Sequence, residues 1–246
     1  MLVGTLNMMA LHNEMGIVAV TARTQDIDLA RRQPLQLGAP LSLLATRKGT
    51  SLGFLSVPGF PAHLPSSTAS TSGCEGLRVD WLVPGPNLGE IVAVPELKWS
   101  AQTIPYFQYL LDRPERAWML AGSHCIPIRL PQAVRMVWHK LYSSTQRHAF
   151  REKAQKDFEQ APVLGSALSE QDPSALRTAC EQAPAAMLHE ISSQHGRRIK
   201  RLEQYLQFQE IVDDLLGPLQ TIGSAACATC QALVKNKRAA ERPFCM

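Results

Sequence analysis

Between Gln25 and Leu29 the chain reads Gln-Asp-Ile-Asp-Leu, carboxylates alternating with aliphatic residues. A period of two fits a strand with one buried face. It sets Asp26 and Asp28 on the same side, roughly 6–7 Å apart. The pattern returns in Arg78-Val79-Asp80-Trp81-Leu82-Val83. If the two strands are neighbours, their apolar residues turn toward a core and three carboxylates gather opposite. Such crowding is costly unless cations neutralise it. Mg²⁺ suits the task, with Mn²⁺ as the alternative, because it takes hard oxygen ligands and keeps places for water and phosphate.

The rest of the chain sets those strands in an α+β frame. Met1 to Thr5 reads as the end of a strand with a turn at Gly4. Leu6 to Glu14 has helical spacing and ends near Gly16, and Ile17 to Val20 and Thr24 to Leu29 are short strands. Residues 41–46 and 52–57 form an expected hairpin around Lys48-Gly49-Thr50. Pro58 to Gly76, rich in Pro, Ser, Thr and Gly, reads as a surface loop. Strands follow at 77–83, 91–95 and within 117–130. After Pro131 the pattern becomes helical over Gln132–Ser143, Arg147–Gln160, Pro173–Cys180, Ala186–Leu216 and Leu219–Lys237. The expected architecture is a small mixed β-sheet with flanking helices over residues 1–130, then a helical region over 131–246.

Composition narrows the setting. Six cysteines are scattered without a dense framework, which fits a reducing cytoplasm better than a secreted disulfide scaffold. No run of eighteen apolar residues is present, so no membrane partner is expected. Met1 to Val20 lacks a basic leader and reads as part of the fold. The net charge of +4 suits a polyanionic ligand mildly. Cys227 and Cys230 lack a second ligand pair at zinc spacing and read as helical cysteines.

Val3-Gly4-Thr5, then Arg23-Thr24-Gln25-Asp26-Ile27-Asp28-Leu29, then Val79-Asp80, resemble the polymerase-β-type nucleotidyltransferase superfamily. Within it they look most like the bacterial stand-alone members, which include abortive-infection type toxins. Trp138-His139-Lys140-Leu141 and Arg151-Glu152-Lys153-Ala154-Gln155-Lys156-Asp157 are similar to the lysine-bearing helices that follow the catalytic core there. The resemblance covers roughly residues 1–165. Where the family usually carries Gly-Gly or Gly-Ser, this chain has Gly4-Thr5. It also begins almost at that loop, so a truncated first strand is expected.

The resemblance implies transfer of a nucleoside monophosphate from a nucleoside triphosphate such as ATP to an acceptor hydroxyl, with pyrophosphate leaving. Two Mg²⁺ ions, about 3.5–4 Å apart in sites of this kind, would stabilise the attacking and leaving oxygens. Asp26 and Asp28 would bind both ions, and Asp80 would complete the site for the ion that activates the acceptor. Gly4 would let backbone approach the triphosphate, and Thr5 would add a hydroxyl and an N–H at a helix start. Arg23 and Thr24, beside the carboxylates, would join Gly4 and Thr5 in binding the nucleotide. Lys140 and Lys156 would neutralise phosphate charge. The acceptor is RNA, a protein side chain or a small molecule. The rival reading is a catalytically decayed nucleotide-binding or nucleic-acid interaction module.

Overall fold

The structure, a computed structural model, describes residues 1–18, 24–34, 36–40, 42, 53–59, 65–72, 76–147, 151–198 and 204–219. The chain divides into two compact units, Met1–His139 and Lys140–Met246. In the first, β2 (Asp26–Ala30) runs parallel beside β5 (Arg78–Pro84). On the far side of β2 lies β1 (Leu2–Val3), antiparallel. The other edge of β5 is shared: β4 (Thr68–Ser70) pairs antiparallel with its first half, and β7 (Trp99–Ile104) pairs parallel with its last residues. Outside these come β3 (Leu55–Ser56) on β4 and β6 (Ile91–Val94) on β7. The sheet is therefore mixed, as expected.

One face of it is the core. Val79, Trp81, Val83, Ala69, Phe54, Val94, Leu97 and Ala101 form a buried cluster, with Ile27 and Leu29 packed against it. Trp81 meets Trp99 edge-on, ring centroids 5.4 Å apart. This packing fixes the register of β2 on β5, because a slip of β2 by one residue would turn Asp26 and Asp28 into the cluster.

Helix α1 (Gly4–Glu14) follows β1 directly and buries Asn7, Met8 and Leu11. It stops at Gly16, whose φ of +67° closes a Schellman end. There Ile17 N–H donates to the His12 carbonyl at 2.8 Å and Gly16 N–H to that of Asn13 at 3.3 Å. A short helix, α2 (Phe107–Leu110), precedes a separate two-stranded sheet of β8 (Glu115–Ala121) and β9 (His124–Leu130). Its two-residue turn starts at Gly122 with φ +59°, the sign that a II′-type hairpin needs.

The helical region is present too. Helix α3 (Ala133–Gln146) crosses the division between the units. It is followed by α4 (Arg151–Gln171), α5 (Pro173–Glu181), α6 (Ala185–Arg198) and a seventh helix, α7, over residues 206–219. Asp172 caps α5, accepting from Ala175 N–H at 2.9 Å and the Ser174 hydroxyl at 2.7 Å. Gly165 of α4 is matched to Phe208: a Cβ there would lie 2.5 Å from the ring.

Several expected elements come out differently. Thr68–Ser70, inside the segment read as loop, is a sheet strand. Pro162 does not end α4, which runs on because Leu164 and Leu168 are buried beyond it. The single helix expected over Ala186–Leu216 is two, since Gln204 and Tyr205 are not helical. Leu55–Ser56 pairs with β4. Residues 43–52 of the expected hairpin, Cys227, Cys230 and residues 220–237 lie outside the described residues.

Candidate active site

The face opposite the core carries the acidic residues. Asp28 is the direct partner of Asp80 across the parallel β2–β5 ladder, and Asp80 is in turn the partner of Thr68 on β4. Val3 stands opposite Asp28 on β1. Val3, Asp28, Asp80 and Thr68 thus form one row across four strands, neighbours about 4.8 Å apart. The next row holds Asp26, Arg78 and Ser70. Cross-strand partners share a face, so all three aspartates stand on the same side.

The carboxylates have defined company. The Thr68 hydroxyl donates to Asp80 Oδ1, and Arg78 Nε lies 3.6 Å from Asp80 Oδ2. Asp26 N–H donates to the Thr24 hydroxyl at 3.1 Å, and that hydroxyl donates back to the Asp26 carbonyl at 3.2 Å. This local turn starts β2. Asp28 abuts the first residue of α1: a Cβ on Gly4 would fall 1.8 Å from Asp28 Oδ2. Gly4 also has φ +68°. Close approach and backbone conformation therefore each require glycine there. The start of α1, the positive end of its dipole, thus begins against a carboxylate.

Lys140 has a partner in its own unit. Lys140 is buried, and its Nζ donates to Asp157 Oδ1 at 2.5 Å. Arg147 Nε lies 3.1 Å from Asp157 Oδ2. A buried carboxylate is thus held between two cations, as the cost of an unpaired buried charge demands. The chain neighbours of Lys140, namely Met136, Val137, Trp138, Leu141 and Tyr142, are buried as well. Lys156, half-buried on α4, and Lys140 belong to the Lys140–Met246 unit, and the aspartates to the other. Arg23 lies outside the described residues. Thr5 is the second residue of α1.

The fold therefore brings together Asp26, Asp28, Asp80, Gly4 and Thr24, and adds Thr68 and Arg78, which sequence reasoning missed. Arg78 stands two residues before Asp80, the spacing that shares a strand face, so alternation alone points to it. Thr68 carried no comparable signal. Hard carboxylate oxygens on one face are the right donor chemistry for Mg²⁺. Among the described residues no three His, Cys, Asp or Glu side chains close into a group that holds a metal ion. Asp80 turns instead to Thr68 and Arg78.

Carboxylates are donors for hard cations and a helix start favours anions, so the donor chemistry of this face is compatible with both. Residues 1–185 match the family model described as Nucleotidyltransferase, and the chain belongs to that family. No curated protein and no solved structure matches it. Membership makes nucleotidyl transfer its general activity and a nucleotide its substrate class. Among the described residues no helix is long and apolar enough to cross a membrane.

Proposed function

We propose that the chain moves a nucleoside monophosphate from a nucleoside triphosphate to an acceptor hydroxyl of RNA, protein or a small molecule, with Mg²⁺ held by Asp26, Asp28 and Asp80. The observation that carries this is the pairing of Asp28 with Asp80 on parallel strands, with Gly4 pressed against Asp28. Bound Mg²⁺ would supply charge stabilisation for the attacking and leaving oxygens. Asp28 has to serve both metal and helix start, since Gly4 leaves no side chain between them. To hold metal, Asp80 would give up its contacts with Arg78 and Thr68, and Arg78 would then face phosphate. The N–H groups of Gly4 and Thr5 offer donors to the triphosphate. Lys140 reaches phosphate only by leaving Asp157, so its first role in this reading is to hold α3 to α4.

The engagement of Asp80 by Arg78 and Thr68 also favours the rival, a nucleotide-binding module without turnover. One experiment separates them. Incorporation of labelled nucleotide from each of the four triphosphates is measured with cell extract, in Mg²⁺ and in EDTA. Incorporation should need the metal and fall by about 10³-fold or more in Asp28→Ala, the loss of several kcal/mol of charge stabilisation. Nucleotide binding with no incorporation at any condition assigns the chain to the rival.

A further inference from the structure

The β8–β9 hairpin presents a second charged face. Its pairing sets Arg116 opposite Arg129, Trp118 opposite Pro127 and Leu120 opposite Cys125, so these six share one side. All six are exposed, Trp118 to 68%. Two like charges directly opposite each other destabilise a strand pair. Neither arginine has a carboxylate partner among the described residues. Trp81 and Trp138 are buried and Trp99 is half-buried, so Trp118 is the indole offered to solvent.

Two uncompensated guanidiniums call for anions, and their planar forks match phosphate oxygens. The indole stands two residues farther along the strand, about 6.8 Å. Opposite it lies the compact Pro127 ring, and beside it the small Cys125 side chain, which leaves the indole plane accessible. Paired arginines with an open aromatic plane at that spacing suit a phosphate backbone and a base. A protein partner would need acids for the arginines and apolar surface for Trp118 at once. A membrane would take the indole and Leu120 but has no use for a stacking plane.

We propose that this face binds a single-stranded nucleic acid, with Arg116 and Arg129 on backbone phosphates and Trp118 stacked on a base. Binding is independent of catalysis and does not require that the strand be the acceptor.

The test uses the full chain in EDTA without nucleotide, so its failure and the failure of nucleotidyl transfer are separate events. Labelled oligo-U and oligo-dT of about a dozen nucleotides are titrated by anisotropy and tryptophan quenching. Binding should quench the exposed indole and weaken with salt, at a slope of about −0.7 per phosphate contacted. Arg116→Ala with Arg129→Ala, and Trp118→Ala alone, should each lower affinity about tenfold or more. Trp118→Tyr should restore much of it. Melting temperatures should not fall, and should rise slightly when the opposed arginines go, which separates lost contact from lost fold. Absence of oligonucleotide binding overturns the proposal, as does binding undiminished in the variants. Equal binding to polyglutamate, or binding to phosphatidylserine vesicles in place of oligonucleotide, overturns it in favour of a protein or membrane partner.

Discussion

Trp81 and Trp118 each occupy the fourth position of a seven-residue strand. Trp81 is 7% exposed and Trp118 is 68% exposed. Their fates follow from the residues two places away, which share their faces. Trp81 stands between Val79 and Val83 and joins a buried cluster with them. Trp118 stands between Arg116 and Leu120, both exposed like itself. In the large sheet the apolar face is buried and the charged face is left over. In the hairpin the face that carries Trp118 is left to solvent along both strands. A tryptophan is core or contact surface according to its i±2 neighbours.

Substitution of the two tryptophans should break this comparison most visibly. Trp81→Ala should destabilise by about 3–5 kcal/mol, the cost of a large core truncation. Trp118→Ala should stay within about 0.5 kcal/mol. Denaturant midpoints measure both, and a similar loss from each would mean that the hairpin face is packed.

Two glycines sharpen it next. Gly4 and Gly122 both have positive φ, +68° and +59°. A side chain on Gly4 meets the Asp28 carboxylate, whereas one on Gly122 meets nothing within 4 Å. Gly4→Ala should therefore cost about 2–4 kcal/mol, strain plus overpacking, and should remove nucleotide transfer. Gly122→Ala should cost about 1–2 kcal/mol from strain alone and leave transfer intact. Thermal melts read beside incorporation assays decide the pair.

The smallest effect lies at the base of the hairpin. Partial desolvation, and then the charge of Glu14, raise the Glu115 carboxyl above its ordinary value of 4.5. The folded state therefore holds that proton more tightly than the unfolded one. The stability this provides is fully present below about pH 4.5 and is lost as pH rises through the folded value. Glu115→Gln should flatten the pH profile of stability in that window. A profile identical to that of the natural chain would show that the carboxyl is not coupled to folding.

The acidic face was legible in the sequence because period-two alternation is a local signal: Ile27, Leu29, Val79 and Trp81 specify the core side and leave the aspartates opposite. The hairpin at 117–130 was legible from two strand runs around a Gly-containing turn, and the helical second half from apolar spacing with a period of 3.6. β4 was not, since Thr68-Ala69-Ser70 is three residues of polar composition whose strand character comes from pairing with β5. Without β4 the hydroxyl on Asp80 could not be anticipated. The burial of Lys140 was hidden because its counter-charge, Asp157, lies on another helix. Sequence order does not reveal which helices pack. The helix expected to end at Gln160 runs on to Gln171, because Ala161, Leu164 and Leu168 beyond that point are buried.

The β2–β5 register also has a consequence in time. Asp28 and Asp80 are adjacent in space, yet 80 − 28 = 52 positions separate them along the chain. The β8–β9 pair closes through two residues and can form in microseconds. The parallel pair must first close a loop of about fifty residues, which makes it slow. During synthesis no acidic row can exist until β5 has emerged and found β2. Until then Val79, Trp81 and Val83 lie uncovered, and the part of the molecule that holds its chemistry is also where a half-made chain is most prone to aggregate.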